Sequence, residues 1–71
     1  MSIYRVVLKV LMWTKDEEIS EHETTRDLLA ESVTPEVRVD WELEVSGEIQ
    51  NKMGEEWSVS ATVKTWTKYD D

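Results

Sequence analysis

The sequence contains no cysteine, so neither a disulfide nor a thiolate metal site can support the fold. Long apolar runs are absent as well. The N-terminal stretch is broken by Arg5 and Lys9 and ends at Trp13, too short and too interrupted for a signal peptide or a membrane span. A cytoplasmic protein without membrane contact is the expectation. Cations are scarce: eight Lys and Arg stand against sixteen Asp and Glu, for a formal net charge of -8. Duplex affinity depends on neutralising phosphates with Lys and Arg, so direct nucleic-acid binding is not expected. The two glycines, Gly47 and Gly54, cannot build a phosphate-binding loop.

Chemistry that needs histidine is equally constrained. His22 is the single histidine and lies among Glu17, Glu18, Glu21 and Glu23, where only a loose divalent-cation contact is conceivable. His-Glu-Thr-Thr-Arg lacks the second histidine of a zinc helix, and no Asp-x-Asp-x-Asp-Gly calcium loop occurs. No serine stands in a nucleophile elbow. A sheet of three strands with one helix leaves little room for the cleft that a paired-carboxylate site requires. Neither an enzyme nor a bound cofactor or metal is expected.

Seventy-one residues make one small domain, 1–71. A chain near this size buries only about 60% of the surface its unfolded form exposes. Without disulfide or metal, self-association is the remaining common support, so a dimer or larger homo-oligomer is expected.

Residues 37–45 carry the clearest pattern. Val37, Val39, Trp41, Leu43 and Val45 alternate with Arg38, Asp40, Glu42 and Glu44. Alternation of period two predicts a half-buried strand with one dry face and one mainly acidic face. Residues 3–14 predict another strand, apolar on both faces and therefore covered on both at least in part, either by an unusually wrapped fold or by another subunit. Between them, Ser20-Glu21-His22-Glu23 fits a capping box, with a helix over 21–32 that stops before Thr34-Pro35. Thr24 is a competing start, which would leave 16–23 as an acidic loop. Residues 36–49 and 55–69 then form a hairpin closed at Gly54.

Register within that hairpin divides the signals. Pairing numbers that sum to 104 sets Asp40 against Lys64, Glu36 against Lys68 and Arg38 against Trp66. A short loop ending at Gly54 prefers a sum of 106, which sets Glu36 against Asp70, and a bulge at Gly47 would reconcile the two. The predicted fold is α+β, in the order β-α-β-β: a three-stranded, mostly antiparallel sheet with one short helix on one face. The first strand is expected to pair with the third.

Acidity and tryptophan point to binding. The acids concentrate in 15–36, where eight oppose Lys15 and Arg26, and in 37–56, where six oppose Arg38 and Lys52. A basic protein surface is the natural partner for such charge. On a strand, Asp40, Glu42 and Glu44 would form a row at roughly 6.6–6.8 Å spacing, about two axial phosphate rises of one DNA strand. With Glu36, Glu17, Glu18 and Glu21, that row could imitate a polyanion, as in an inhibitor encoded by a phage or mobile element. Of the four tryptophans, Trp41 and Trp57 fall on dry faces, whereas Trp13 and Trp66 fall on the opposite ones. Trp66 is expected at or near the partner contact, because aromatics are enriched at interface cores.

The β-α-β-β order, the length and Trp41 early in the second strand resemble the layout of the dodecins, small flavin-storing proteins that assemble into hollow dodecamers. The resemblance implies Trp41 stacked on an isoalloxazine ring. The tryptophan excess and the two apolar faces of the first strand support, as a second reading, a flavin- or nucleotide-sequestering oligomer with a dodecin-like layout and sites lined by Trp41 and Trp13. Ser60 stands where that family has a flavin-contacting glutamine, and the helix region lacks its alanine-rich pattern.

Overall fold

Strand β1 (Ser2–Thr14) is the middle of the sheet in the computed structural model, which describes residues 1–69. Asp70 and Asp71, with the pairing of Glu36 and Asp70 considered above, lie outside the described residues. The helix-facing side of β1 carries Val6, Leu8, Val10 and Met12, all buried. Strand β2 (Ile19–Ala30) and strand β3 (Trp57–Lys68) flank it, both antiparallel to it, in the order β2-β1-β3. The two edge strands are therefore parallel to each other, and such a link needs a crossover rather than a tight turn. Helix α1 (Pro35–Met53) makes that crossing over one face of the sheet.

The α+β class, the three antiparallel strands and the single helix agree with the sequence reading, as does the pairing of first strand with third. The order is β-β-α-β, however, so the two middle segments exchange roles and the helix is long, at 19 residues. Residues 37–45 are helical. A period of two contains a period of four, so Val37, Trp41, Val45 and Ile49 also lie along one helical face. Trp41 and Val45 are buried there, at 4% and 1% exposure, while Val39 and Leu43, which a strand would have hidden, are 51% and 65% exposed.

Thr34-Pro35-Glu36 decides the matter locally. The Thr34 side chain accepts a hydrogen bond from the Val37 amide at 3.1 Å, Pro35 opens the first turn, and Glu36 meets the positive end of the helix dipole. Gly54 adopts φ 89° as the C-cap and its amide donates to the Gln50 carbonyl. It supplies the positive φ expected of it, but ends a helix rather than a hairpin. The Gln50 side-chain Nε2 also donates to the carbonyls of Gly54 and Trp57, at 2.8 and 2.6 Å, fastening the helix end to the start of β3.

The segment expected as helix is strand β2. Its β-branched Ile19, Thr24 and Thr25 suit an extended backbone, and full pairing with β1 outweighs an isolated capping signature. The β1–β2 loop closes without glycine: Glu17 takes φ 65°, with Thr14 and Glu18 bonded across the loop. The sheet bulge lies at Lys64, the extra residue where the β1–β3 register shifts between Val7 and Leu8, and not at Gly47, which sits inside α1.

Packing is one-sided. Trp41 rests on Tyr4 with ring centroids 5.9 Å apart, and Val45 joins Val6, Leu8, Val10, Met12, Ala30 and Ala61 in the core. Burying each of the large groups stabilises the fold by about 1.5–3 kcal/mol. No helix among the described residues is long and apolar enough to cross a membrane.

Because Thr34 satisfies an otherwise open amide of α1, Thr34→Ala should lower unfolding free energy by about 1 kcal/mol. Urea unfolding at fixed protein concentration measures this, and an unchanged midpoint would contradict the cap.

Candidate functional site

Helical geometry redistributes the acidic residues. On a helix, residues four apart are neighbours and those two apart point to different sides. Glu36, Asp40 and Glu44 therefore form one stripe, each step rising about 6 Å. None of the three is ion-paired among the described residues. Glu42 belongs to the opposite flank, where its carboxylate accepts a hydrogen bond from the Val63 amide of β3 at 2.8 Å. The carboxylate row expected from Asp40, Glu42 and Glu44 does not exist, because it required a strand. Glu48, the next residue of the stripe, is neutralised by Arg26 of β2 at 3.4 Å and by Lys52 at 3.6 Å.

Asp40 and Glu44 of the stripe border a groove between α1 and the end of β2. Its volume is about 670 Å³; Val37, Trp41 and Leu28 line it from below, and Asp40, Glu44 and Glu31 are among the residues at its lips. The helix lies closest to β3, which leaves the helix-facing side of β2 thinly covered and opens this groove. An apolar floor with carboxylates above it suits a ligand having both apolar and cationic groups.

The remaining candidates are dispersed. Trp66 lies on the helix-facing side of β3, 39% exposed, with the Arg38 guanidinium 5.3 Å from its ring. Sequence pairing brought Arg38 and Trp66 together across strands; the structure does so through helix-on-sheet packing, away from the groove. The other two expected pairs do not form, and Lys64 meets Glu23 of β2 instead of Asp40. Glu17 and Glu18 sit in the β1–β2 loop, and Glu18 lines an acidic depression of about 490 Å³ with Asp16, Glu55, Glu56 and Trp57. Glu21 lies on the sheet face away from α1, 3.0 Å from the Lys9 ammonium.

Strand alternation sends His22 toward the helix side of β2 and Glu21 and Glu23 to the other side, so the acidic surroundings read from sequence do not converge on it. No group of three or more Asp, Glu or His that could hold a metal occurs among the described residues. Trp41 is core, packed on Tyr4 and 4% exposed, and Trp13 lies on the far side of the sheet, so the two tryptophans do not share a site. The β-α-β-β layout on which the dodecin resemblance rests is not the layout of this chain.

Sequence reasoning missed Leu28 and Arg26 as parts of the site. Both were assigned to a helix, and only the pairing of β2 with β1 places them beneath α1. The Thr34-Pro35-Glu36 start signal could have revealed the stripe. No protein-family model, curated protein or solved structure matches the chain.

Two surface groups have displaced titrations. Lys64, by hydrogen bond and then by charge, holds the Glu23 carboxyl below its ordinary range. The hydrogen bond to Asp27 is the largest cause of the raised Tyr69 phenol. A depressed carboxyl favours the folded state above its unfolded pKa, and that contribution is lost as pH falls through the folded value. Carbon-detected NMR titration should show Glu23 ionising below the ordinary carboxylate range. Lys64→Met should move it upward, and a Glu23 midpoint indifferent to that change would refute the pairing.

Proposed function

We propose that this chain is a non-enzymatic acidic binding protein that engages a basic protein surface through the Glu36–Asp40–Glu44 stripe of α1 and the groove beside it. One observation carries the reading: three successive carboxylates on one helical flank lack cation partners among the described residues, and two of them, Asp40 and Glu44, line a groove together with Leu28 and Trp41. Asp27, Glu21, Glu23 and Glu48, by contrast, each have a cation partner.

The partner's cations would meet the stripe while an apolar side chain entered the groove. Long-range attraction from a net charge of -8 would speed the encounter. The sharpest form of the reading is an inhibitor that imitates nucleic acid. The helical step of about 6 Å lies near the 6.8 Å of two axial phosphate rises, and the acids of the β1–β2 loop, Glu17 and Glu18, extend the negative surface. Glu42, held on the β3 amide, and Glu21, paired with Lys9, are not part of this contact.

Fluorescence anisotropy with a labelled lysine–leucine amphipathic peptide tests the chemistry, with a glutamine–leucine peptide as control. Binding should favour the lysine peptide and weaken at least tenfold in the Glu36→Lys/Asp40→Lys/Glu44→Lys variant. It should also weaken as salt rises from about 50 to 500 mM, since exposed charge interactions are screened. Undiminished binding by the triple variant would overturn the reading. Displacement of duplex DNA from a basic DNA-binding protein would test the inhibitor form.

A further inference from the structure

Among the described residues, no helix or strand packs over the sheet face away from α1. Along β1 it presents Ile3, Arg5, Val7, Lys9, Leu11 and Trp13, and apolar residues recur at its ends, where Ile19 and Leu29 of β2 are 71% and 60% exposed. The charge on this face differs from the rest of the chain. Arg5 pairs with Asp27 at 3.4 Å, Lys9 with Glu21 at 3.0 Å, and Lys64 with Glu23. Three cations balance three acids, so the face is neutral while the whole chain carries -8. Two identical acidic chains repel wherever their acidic surfaces meet, and this face is where two copies can approach without that cost.

We propose that a second copy of the chain covers this face, the two sheets stacked about a two-fold axis that runs along the β1 strands. Two such stackings are possible. An axis across the strands would lay β2 over the partner's β2, setting Asp27, Glu23 and Glu21 against the same carboxylates. An axis along the strands lays β2 over the partner's β3, whose outward residues are Ser58, Ser60, Thr62, Thr65 and Thr67 with Lys64 at the bulge. Carboxylates then meet hydroxyl donors and an ammonium. Arg5 and Lys9 meet their counterparts as members of ion pairs, not as bare cations. Aligned sheets of this kind pack about 10 Å apart, within roughly 30° of parallel.

The dimensions agree. A strand of 13 residues and three strands abreast span roughly 43 by 14 Å, about 600 Å² in plan before side-chain relief is added. A standard stable interface buries about 800 Å² on each partner. The isolated chain has a core on one side of its sheet only, and the second copy would give it one on the other.

Light scattering and sedimentation of the full chain read stoichiometry without any other partner, so failure here is separate from failure of the helix-face reading. At about 100 μM the mass should be twice 8.3 kDa. Val7→Glu, flanked by Arg5 and Lys9 on this face, should give a folded monomer by circular dichroism. A monomeric parent chain, or a Val7→Glu chain that remains dimeric, would overturn the interface. Orientation is read without disturbing the centre, by a nitroxide on Ser58→Cys. An axis along the strands puts the two Cα atoms roughly 14 Å apart, and an axis across them roughly 33 Å. The short distance is expected, and the long one would overturn the stacking.

Discussion

Everything in this structure depends on β1 being hydrogen-bonded along both edges while helix α1 covers one face. A central strand between two antiparallel partners leaves those partners parallel to each other and on opposite edges. Only a long crossing can join them, and α1 is that crossing. Its length of 19 residues answers a geometric demand as much as a propensity. Once it lies nearest β3, Trp41 and Val45 must fill the space over Tyr4, Val6, Leu8 and Val10. The flank turned toward β2 is then left over a shallow groove, and Glu36, Asp40 and Glu44 occupy that flank.

Residues 3–14 were legible because their pattern had one solution. The strand and its pairing with the last strand were legible, but its central place was not, because a hairpin of 36–49 with 55–69 would have put the last strand in the middle of the sheet. Residues 37–49 were not legible, because spacing four is a multiple of spacing two. Val37, Trp41, Val45 and Ile49 satisfy helix and strand alike, and the intervening Val39 and Leu43 tip the count toward strand. The deciding information lies outside the pattern, in Thr34-Pro35-Glu36, whose proline serves equally well as a stop for a preceding helix. Residues 20–23 show the converse error. Ser20 and Glu23 satisfy a capping rule, yet no apolar stripe long enough to hold a helix follows, and the β-branched residues at 24 and 25 favour pairing.

The candidate site was legible in composition and not in partition. An excess of acids at 36–48 was plain from sequence, as was their value for a basic partner. Which acids act together depends on whether the backbone turns by 100° or by 180° per residue. That single difference removes Glu42 to the β3 edge, unites Glu36 with Asp40 and Glu44, and buries Trp41. Glu21 and Glu23 are separated from His22 for the same reason, applied in the other direction.

The distribution of charge also bears on what the sheet can do with its own edges. An edge strand with unpaired backbone groups invites pairing with other chains. On β2, Asp27, Glu23 and Glu21 share one face, so a second β2 laid antiparallel beside it would bring like charges into opposition. On β3, Glu42 accepts the Val63 amide, and the Lys64 bulge interrupts the ladder next to it. Both edges therefore carry a feature that discourages extension of the sheet. The open face carries none: its charges are paired within the chain, and its apolar residues run the length of β1. The acids that hinder edge growth are the ones that neutralise Arg5, Lys9 and Lys64. One set of ion pairs thus turns association away from the edges and leaves the face as the surface on which a like-charged copy meets least resistance.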